Sequence, residues 1–177
     1  MRVGIIGFSS DPRVVSRDEL ENLRERCEKL GEKLAKKGYV IFNGGRDGIM
    51  EMVSRGVERA GGISVGILPF DEESVKANPH ISVPIYTGLD YQMRSLLMMK
   101  NVDVVISIGG AVGTAIEIFS AYANGVPIIL FTGTGGWTDK MAECLGEDRY
   151  IDGRKLAPIF KANDVDEILK ILEELFG

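Results

Sequence analysis

The fold of this chain is decided by the stretch Ser107-Ile108-Gly109-Gly110-Ala111-Val112-Gly113-Thr114-Ala115-Ile116-Glu117. It follows an apolar, β-branched run at Val102–Ile106, which is typical of a buried parallel strand. It leads into Ala115–Ala123, whose composition favours a helix. A strand, a glycine turn and a helix N-terminus in this order direct unpaired backbone N–H groups and the positive end of a helix dipole at one place, and such a place suits a phosphate.

Two interpretations of this turn stay open on these residues alone. In the first, three glycines let the backbone approach a ligand with no Cβ in the way, and Thr114 adds a hydroxyl donor. These glycines are Gly109, Gly110 and Gly113. In the second, Thr114 caps the helix and Glu117 reaches back to the Thr114 N–H, which together would form a capping box.

Length and composition are those of an ordinary globular protein. The 177 residues suit one domain, which we expect to cover 1–177, with 45% hydrophobic and 27% charged residues. The net charge of −5 makes broad affinity for nucleic acid unexpected. A small anion stays possible as a ligand, because a local nest of N–H groups does not need a basic protein.

The cysteines and the single histidine offer no obvious chemistry. Cys27 and Cys144 show no metal-ligand spacing, and we interpret both as reduced thiols of a cytoplasmic protein. His80 follows Asn78-Pro79 in a predicted loop, so a structural role is favoured over a catalytic one. With no metal-ligand spacing and no second histidine, we expect no metal site. The chain begins directly with a strand, so we expect no signal peptide, and no apolar run reaches transmembrane length, so we expect no membrane contact.

Strands and helices are predicted to alternate along the whole chain. Predicted strands lie at Val3–Phe8, Tyr39–Phe42, Ile63–Leu68, Ile81–Tyr86, Val102–Ile106, Ile128–Phe131 and Pro158–Phe160. The first predicted helix is long and runs from the Ser16 capping box to Lys37. Further helices are predicted at Ile49–Ala60, Leu89–Asn101, Ala115–Ala123 and Asp139–Leu145, and Asn163 is predicted to cap the last helix. A flexible loop is predicted at Thr132–Trp137. Pro84 cannot donate to a neighbouring strand, so the fourth strand is predicted to be short or to lie at an edge. The alternation predicts an α/β fold with a mainly parallel sheet and helices on both faces.

Three turns rich in glycine or serine follow predicted strands, at Gly7–Ser10, Asn43–Gly48 and Gly109–Thr114. The carboxyl ends of parallel strands meet at one edge of a sheet, where ligands of such folds bind. The sequence therefore predicts a site there. Its predicted ligand-binding residues are Gly7, Ser9, Ser10, Gly44, Gly45, Gly48, Gly109, Gly110, Gly113 and Thr114.

A dinucleotide and ATP are the less favoured ligands. The first turn offers Gly4-x-x-Gly7 in place of G-x-G-x-x-G, and Asn43 stands where an acidic residue would close the second strand. The Gly44–Gly48 turn lacks the Gly-Lys-Ser/Thr ending of a P-loop.

The order and spacing of four segments resemble the LOG-like Rossmann superfamily, whose members are often labelled lysine decarboxylases. The segments are Gly7–Ser10, Asn43–Met50, Arg94 and Gly110–Glu117, which together span nearly the whole chain. The resemblance implies a Rossmann-like, doubly wound, mainly parallel sheet. It also implies a homo-oligomer, and the consecutive apolar residues Leu96, Leu97, Met98 and Met99 cover more than one helix face.

Two branches of this superfamily imply different functions. The cytokinin-activating enzymes cleave the N-glycosidic bond of nucleoside monophosphates and carry P-G-G-x-G-T-x-x-E with an upstream Arg-Lys pair. Here Gly109 replaces the proline, Ala111 the second glycine and Ser95 the lysine, and Ile116 replaces an acidic residue. The other branch is similar to molybdenum cofactor carrier proteins, which bind a phosphorylated pterin.

The resemblance assigns catalytic roles to Arg94 and Glu117, which match the enzymes' pair around the ribose. Glu117 could activate water or stabilise an oxocarbenium-like centre, and Arg94 could hold a phosphate. We favour a binding or carrier protein for a phosphorylated nucleotide-like or pterin ligand, with a phosphoribohydrolase as the alternative. The bound ligand would be a nucleoside monophosphate or a molybdopterin-type compound. No lysine-bound pyridoxal site is evident, so the sequence does not support lysine decarboxylase activity.

Overall fold

The computed structural model describes residues 1–177 and contains one seven-stranded parallel sheet. Its strands are β1 (Arg2–Gly7), β2 (Val40–Asn43), β3 (Ile63–Leu68), β4 (Val83–Tyr86), β5 (Val104–Ile108), β6 (Ile128–Phe131) and β7 (Ile159–Ala162). Their spatial order is β4-β3-β2-β1-β5-β6-β7. The predicted α/β fold with its parallel sheet is confirmed, and β4, the strand that contains Pro84, lies at an edge.

Seven helices cover the two faces of the sheet. They are α1 (Arg17–Asn22), α2 (Arg24–Lys36), α3 (Ile49–Arg59), α4 (Tyr91–Met99), α5 (Val112–Ala123), α6 (Gly136–Leu145) and α7 (Val165–Phe176). Residues of α1, α2, α3 and α7 form a hydrophobic core on one face, and residues of α4, α5 and α6 form a second core on the other. Each buried strand therefore carries apolar side chains on both sides, as parallel sheets require.

Close backbone packing joins α2 to α3 through two glycines. A Cβ on Gly31 would collide with the carbonyl oxygen of Val53, and a Cβ on Gly56 would collide with that of Glu28. These glycines let the two helices approach more closely than side chains allow. The pair packs against β1 and β2 on one face of the sheet, and α3 begins directly after the turn that follows β2.

Several predicted helix boundaries are wrong. The long first helix is interrupted at Leu23, whose N–H donates to the Leu20 carbonyl in a tight turn. Asp164, and not Asn163, caps α7 by accepting the Glu167 N–H. These corrections move helix ends by one residue or divide a helix, and they leave the order of elements unchanged.

The start of α6 differs because of a tertiary contact. The helix begins at Gly136, three residues before the predicted start, so Trp137 lies in the helix and not in a loop. The N–H groups of Trp137 and Thr138 donate to the carbonyls of Gly110 and Gly109, at 2.9 and 3.0 Å. The turn after β5 therefore satisfies donors that a helix N-terminus usually leaves free.

The strand order reverses between β1 and β5. The chain steps from β1 outward to β2, β3 and β4, then crosses back to β5 and continues outward to β6 and β7. In open α/β sheets the crevice beside such a reversal is where ligands bind. The turns that follow β1 and β5 border this crevice. No helix of the structure combines the length and apolarity needed to cross a membrane.

Candidate functional site

A cavity of about 180 Å³ opens at the carboxyl edge of the sheet, beside the turns that follow β1 and β5. It is bounded by the start of α4, the first turns of α5 and the loop after β1. Its lining residues are Ile6, Gly7, Phe8, Ser9, Val14, Arg46, Met50, Tyr91, Gln92, Arg94, Ser95, Ala111, Gly113, Thr114, Ile116 and Glu117.

The N-terminus of α5 is uncapped and faces this cavity. Ala111 occupies the N-cap position, and its methyl side chain cannot accept a hydrogen bond. The N–H groups of Val112, Gly113 and Thr114 donate to no group of the protein. Three free donors and the positive end of the α5 dipole therefore converge on one side of the cavity. This is the arrangement that binds phosphates and carboxylates in other proteins.

The capping-box interpretation of Thr114 and Glu117 is wrong. The helix already starts at Val112, so Thr114 lies inside its first turn and its hydroxyl donates to the Gly7 carbonyl at 3.4 Å. Glu117 lies one turn further on, and its carboxylate accepts no hydrogen bond from Thr114. The Glu117 carboxylate is therefore available for another role.

Arg94 lies in the second turn of α4, a helix that Asp90 caps by accepting the Met93 N–H. Only 7% of Arg94 is exposed, and its buried Nε has no hydrogen-bond partner. Burial lowers the pKa of its guanidinium, the charge of Glu117 raises it, and nearby Arg46 lowers it again. A buried guanidinium with an unsatisfied donor favours an anion, because such a donor is costly to leave without a partner.

Glu117 lies in the same cavity and is 8% exposed. Burial raises the pKa of its carboxyl, while Arg94 and the Ser95 hydroxyl act in the opposite direction. Arg94 and Glu117 form no ion pair within 4.0 Å. The two groups influence each other electrostatically, yet both can still contact a third molecule between them.

The structure brings six of the predicted site residues together around the cavity. These are Gly7, Ser9, Arg94, Gly113, Thr114 and Glu117. Gly113 differs from the other predicted site glycines, because a Cβ there would meet no atom within 4 Å. Its missing side chain leaves space on the cavity side that no part of the protein fills.

The other predicted glycines lie behind the cavity wall. A Cβ on Gly109 would collide with the Phe8 ring, and a Cβ on Gly110 would collide with Thr114. Both have positive φ angles, of 62° and 94°, which favour glycine. They shape the turn that exposes the α5 N-terminus and do not line the cavity.

The turn after β2 is also away from the cavity lining. Gly45 packs against Leu68, and Gly48 packs against the backbone of the loop after β1, where the Ile49 N–H donates to the Phe8 carbonyl at 2.9 Å. Ser10 is hydrogen-bonded to Asp47, outside the cavity. Gly44 has an indirect role, because it makes room for the Arg94 guanidinium.

Arg46 and Tyr91 also line the cavity, although neither is among the residues predicted from the sequence. A signal for Tyr91 was available, since it precedes Arg94 by three residues and a helix places such residues on one face. His80, by contrast, lies outside the cavity between Arg55 and Glu58. The Arg55 Nε donates to its Nε2 at 3.2 Å, and its Nδ1 lies 2.6 Å from the Glu58 carboxylate.

The parallel sheet, the reversal between β1 and β5, and the cavity at the free α5 N-terminus define a Rossmann-like α/β protein with a candidate ligand site. The chain belongs to the SLOG cluster4 family, whose model matches residues 1–168. The resemblance stated from the sequence motifs is confirmed.

Two solved structures are similar over almost the whole chain. The structural-genomics X-ray structure of TM1055 is 50% identical, with a TM-score of 0.90 and coverage of 98% of both chains. The molybdenum cofactor carrier protein of Chlamydomonas reinhardtii is 25% identical, with a TM-score of 0.75 and coverage of 98% of this chain and 96% of the other.

Two relatives match shorter stretches of the sequence. An uncharacterized protein of Archaeoglobus fulgidus is 35% identical over 125 residues, which is 71% of this chain and 76% of the relative. A cytokinin riboside 5′-monophosphate phosphoribohydrolase of Rhodococcoides fascians is 32% identical over 98 residues. That match spans 52% of this chain and 48% of the enzyme.

Proposed function

We propose that this protein binds a small phosphorylated ligand, either a nucleotide-like compound or a pterin, and acts as its carrier. The single observation that carries this proposal is the free N-terminus of α5, which opens onto the same cavity as the unpartnered Nε of Arg94. The phosphate oxygens would accept hydrogen bonds from the free N–H groups of α5, and the buried guanidinium would neutralise the phosphate charge.

The residues of the cavity favour a protein that binds and carries its ligand over an enzyme that hydrolyses it. Ser95 follows Arg94 where the enzymes of the superfamily have a lysine, so one positive charge near the reacting bond is missing. The similarity to a molybdenum cofactor carrier protein favours the same function. The candidate ligands share a phosphate and a planar ring, and the molybdopterin type is the one that this similarity suggests.

Mass spectrometry of the natively purified protein tests the proposal. We expect a phosphorus-containing compound that is released on denaturation and is lost from the Arg94→Gln variant. Calorimetry with AMP and ribose 5-phosphate extends the test to ligands added from outside. A protein that retains no such compound, and binds neither probe at millimolar concentration, would contradict the proposal.

A phosphoribohydrolase is the second candidate function. Glu117 lies in the cavity with Arg94, and burial raises the pKa of its carboxyl above the ordinary value, which is the direction that suits a general acid. The relative from Rhodococcoides fascians supports this possibility over the matched half of the chain. Release of free adenine from AMP, abolished by Glu117→Gln, would establish the activity, whereas no release above the uncatalysed rate would exclude it for AMP.

We also propose that the protein forms a homo-oligomer through an apolar surface on α4 and α5. Of the four apolar residues singled out in the sequence, Met98 and Met99 are buried in the core, while Leu97 is exposed. The surface is completed by side chains at helical spacing on the adjacent helix. We call it the α4–α5 surface, and its residues are Met93, Leu97, Val112, Ile116 and Phe119. Apolar side chains grouped in this way are typical of protein interfaces.

A further inference from the structure

Three residues at the rim of the cavity form a connected aromatic and cationic cluster, which we call the rim cluster: Phe70, Tyr91 and Arg46. The rings of Phe70 and Tyr91 meet edge to face, with centroids 5.6 Å apart and planes at 89°. The Arg46 guanidinium carbon lies 5.2 Å from the centre of the Tyr91 ring, and Arg46 Nη1 donates to the Tyr91 hydroxyl at 3.0 Å. Tyr91 and Arg46 both line the cavity.

The rim cluster is built at a cost in backbone conformation. Phe70 has a φ of 54°, in the left-handed region that bulky side chains avoid. It is held there by two hydrogen bonds across the loop, from its N–H to the Leu89 carbonyl at 2.8 Å and from the Gly88 N–H to its own carbonyl at 3.0 Å. Strain of this kind is concentrated at ligand-binding sites, where the surroundings force one geometry.

The exposure of the rim cluster leaves it free to contact a ligand. Phe70 and Tyr91 are 39% and 36% exposed, although large aromatic rings favour burial. Arg46 forms no ion pair with a carboxylate, so its guanidinium is held only by Tyr91. A ring stacked on this surface would cover apolar area and would meet a cation that has no counter-ion of its own.

The size of the cavity places a ligand's ring at this rim. Its volume of about 180 Å³ is below the roughly 300–1,000 Å³ of most small-molecule sites. A phosphate at the α5 N-terminus, with its adjoining sugar or linker, would use most of that space. Tyr91 is the first residue of α4 and lies one helical turn before Arg94, so a molecule that extends outward past Arg94 reaches the Tyr91 ring next.

We propose that the rim cluster is a stacking platform for the planar heteroaromatic ring of the ligand, with Tyr91 and Arg46 as its specificity-determining residues. This inference rests on the proposed function, because it takes the phosphate to lie at the α5 N-terminus. The ligand class that follows is the monophosphate of a flat heteroaromatic compound, such as a purine nucleotide or a phosphorylated pterin. A sugar phosphate without an aromatic ring would bind more weakly.

Calorimetry with four probes tests the platform: AMP, ribose 5-phosphate, adenosine and pterin. We expect the parent protein to bind AMP at least about tenfold more tightly than ribose 5-phosphate, as one stacked base contributes. Tyr91→Leu should remove that difference and leave ribose 5-phosphate unchanged. Tyr91→Phe keeps the ring and loses only the hydroxyl contact to Arg46, so it should retain most of the preference for AMP.

A matched control is available in Tyr150, which is also 36% exposed and also faces a cation, Lys155, at 5.7 Å. It lies outside the cavity, so Tyr150→Leu should change no affinity. An unchanged ratio of AMP to ribose 5-phosphate affinity in Tyr91→Leu would overturn the platform. An equal loss for both probes leaves that ratio unchanged and overturns the platform too, provided that thermal melts show the variant to be folded.

The same probes separate failure of this inference from failure of the proposed function. Binding of adenosine or pterin that depends on Tyr91, without any binding of ribose 5-phosphate, would support the platform and contradict the phosphate site. Binding of ribose 5-phosphate that equals that of AMP in the parent would support the phosphate site and overturn the platform. A parent protein that binds none of the four probes would overturn both.

Discussion

The guanidinium of Arg94 lies directly over the Cα of Gly44. A Cβ on Gly44 would stand 2.5 Å from Arg94 Nη1 and 2.8 Å from Nη2, both too close for contact. Gly44 has no positive φ, so its backbone conformation suits any residue. The glycine at the end of β2 therefore serves the site through the space it leaves for a buried cation.

This contact predicts the effect of Gly44→Ala. The added methyl should displace the end of a flexible side chain, so the fold should survive with a small change in melting temperature. Affinity for ribose 5-phosphate should fall about tenfold or more, because a charge-assisted hydrogen bond is lost or misdirected. Calorimetry measures this, and a double-mutant cycle with Arg94→Gln locates the cause. If Gly44→Ala weakens binding further in the Arg94→Gln background, the effect does not pass through Arg94.

Gly113→Val should separate binding from stability. A Cβ at Gly113 meets no protein atom within 4 Å, and valine favours a helix slightly more than glycine does. The melting temperature should therefore stay unchanged or rise slightly, while ribose 5-phosphate binding is lost because the side chain occupies the approach to the α5 N-terminus. Gly153→Val is the control, since Gly153 is equally unobstructed and lies outside the cavity. Binding as tight as in the parent would place the phosphate elsewhere.

Glu117→Gln should change stability in a way that depends on pH. Burial raises the pKa of Glu117 above its ordinary value of 4.5, so the folded state holds the proton more tightly than the unfolded state does. The charged carboxylate therefore lowers the free energy of unfolding progressively as the pH rises from 4.5 through the folded pKa. The variant has no such loss. Its melting temperature should match that of the parent near pH 4.5 and exceed it at pH 8.

Thermal melts over this pH range, with the exposed Glu147→Gln as control, measure the difference. Glu117→Ala should behave similarly at pH 8, because α5 loses no cap: its N-cap residue is Ala111. Affinity for a phosphate should rise in both variants, since a neighbouring negative charge is removed. A clear loss of stability at pH 8 would instead give Glu117 a structural role beside Arg94.

Phe119→Glu should dissociate the proposed oligomer. Phe119 is 47% exposed on the α4–α5 surface, and a charge there would have to be buried against a second subunit at high cost. Light scattering at micromolar concentration should give at least a dimer for the parent and a smaller mass for the variant. Phe176→Glu is the control, because Phe176 is similarly exposed on α7, at the opposite face of the sheet. A monomeric parent protein would contradict the prediction.

Much of the architecture could be predicted because it depends on local patterns. Apolar β-branched runs predict buried strands, and their alternation with helices permits few topologies other than a parallel sheet. The same rule predicts that Gly7 and Gly113 lie at the carboxyl edge of the sheet, because the turns that follow parallel strands meet at that edge. Pro84 has no N–H to donate to a neighbouring strand, which predicts a short strand or an edge strand, and β4 is both.

The different structural roles of the glycines could not be predicted. In the sequence, Gly109, Gly110 and Gly113 have the same apparent role, but the first two pack against Phe8 and Thr114 while the third faces open space. The difference depends on which atoms lie opposite each Cα, and those atoms come from distant parts of the chain. The role of Gly44 depends in the same way on Arg94, fifty residues later.

The sequence by itself determined that this is an α/β protein with a parallel sheet, and it predicted a ligand site at the turns that follow β1, β2 and β5. Only the tertiary structure decided how the donors at that edge are distributed. The carbonyls of Gly109 and Gly110 accept hydrogen bonds from N–H groups in the first turn of α6. The N–H groups in the first turn of α5 have no such acceptor. The physical reason is that a helix N-terminus becomes a binding site only where the rest of the fold leaves its donors unsatisfied, and that depends on contacts between segments far apart in the chain.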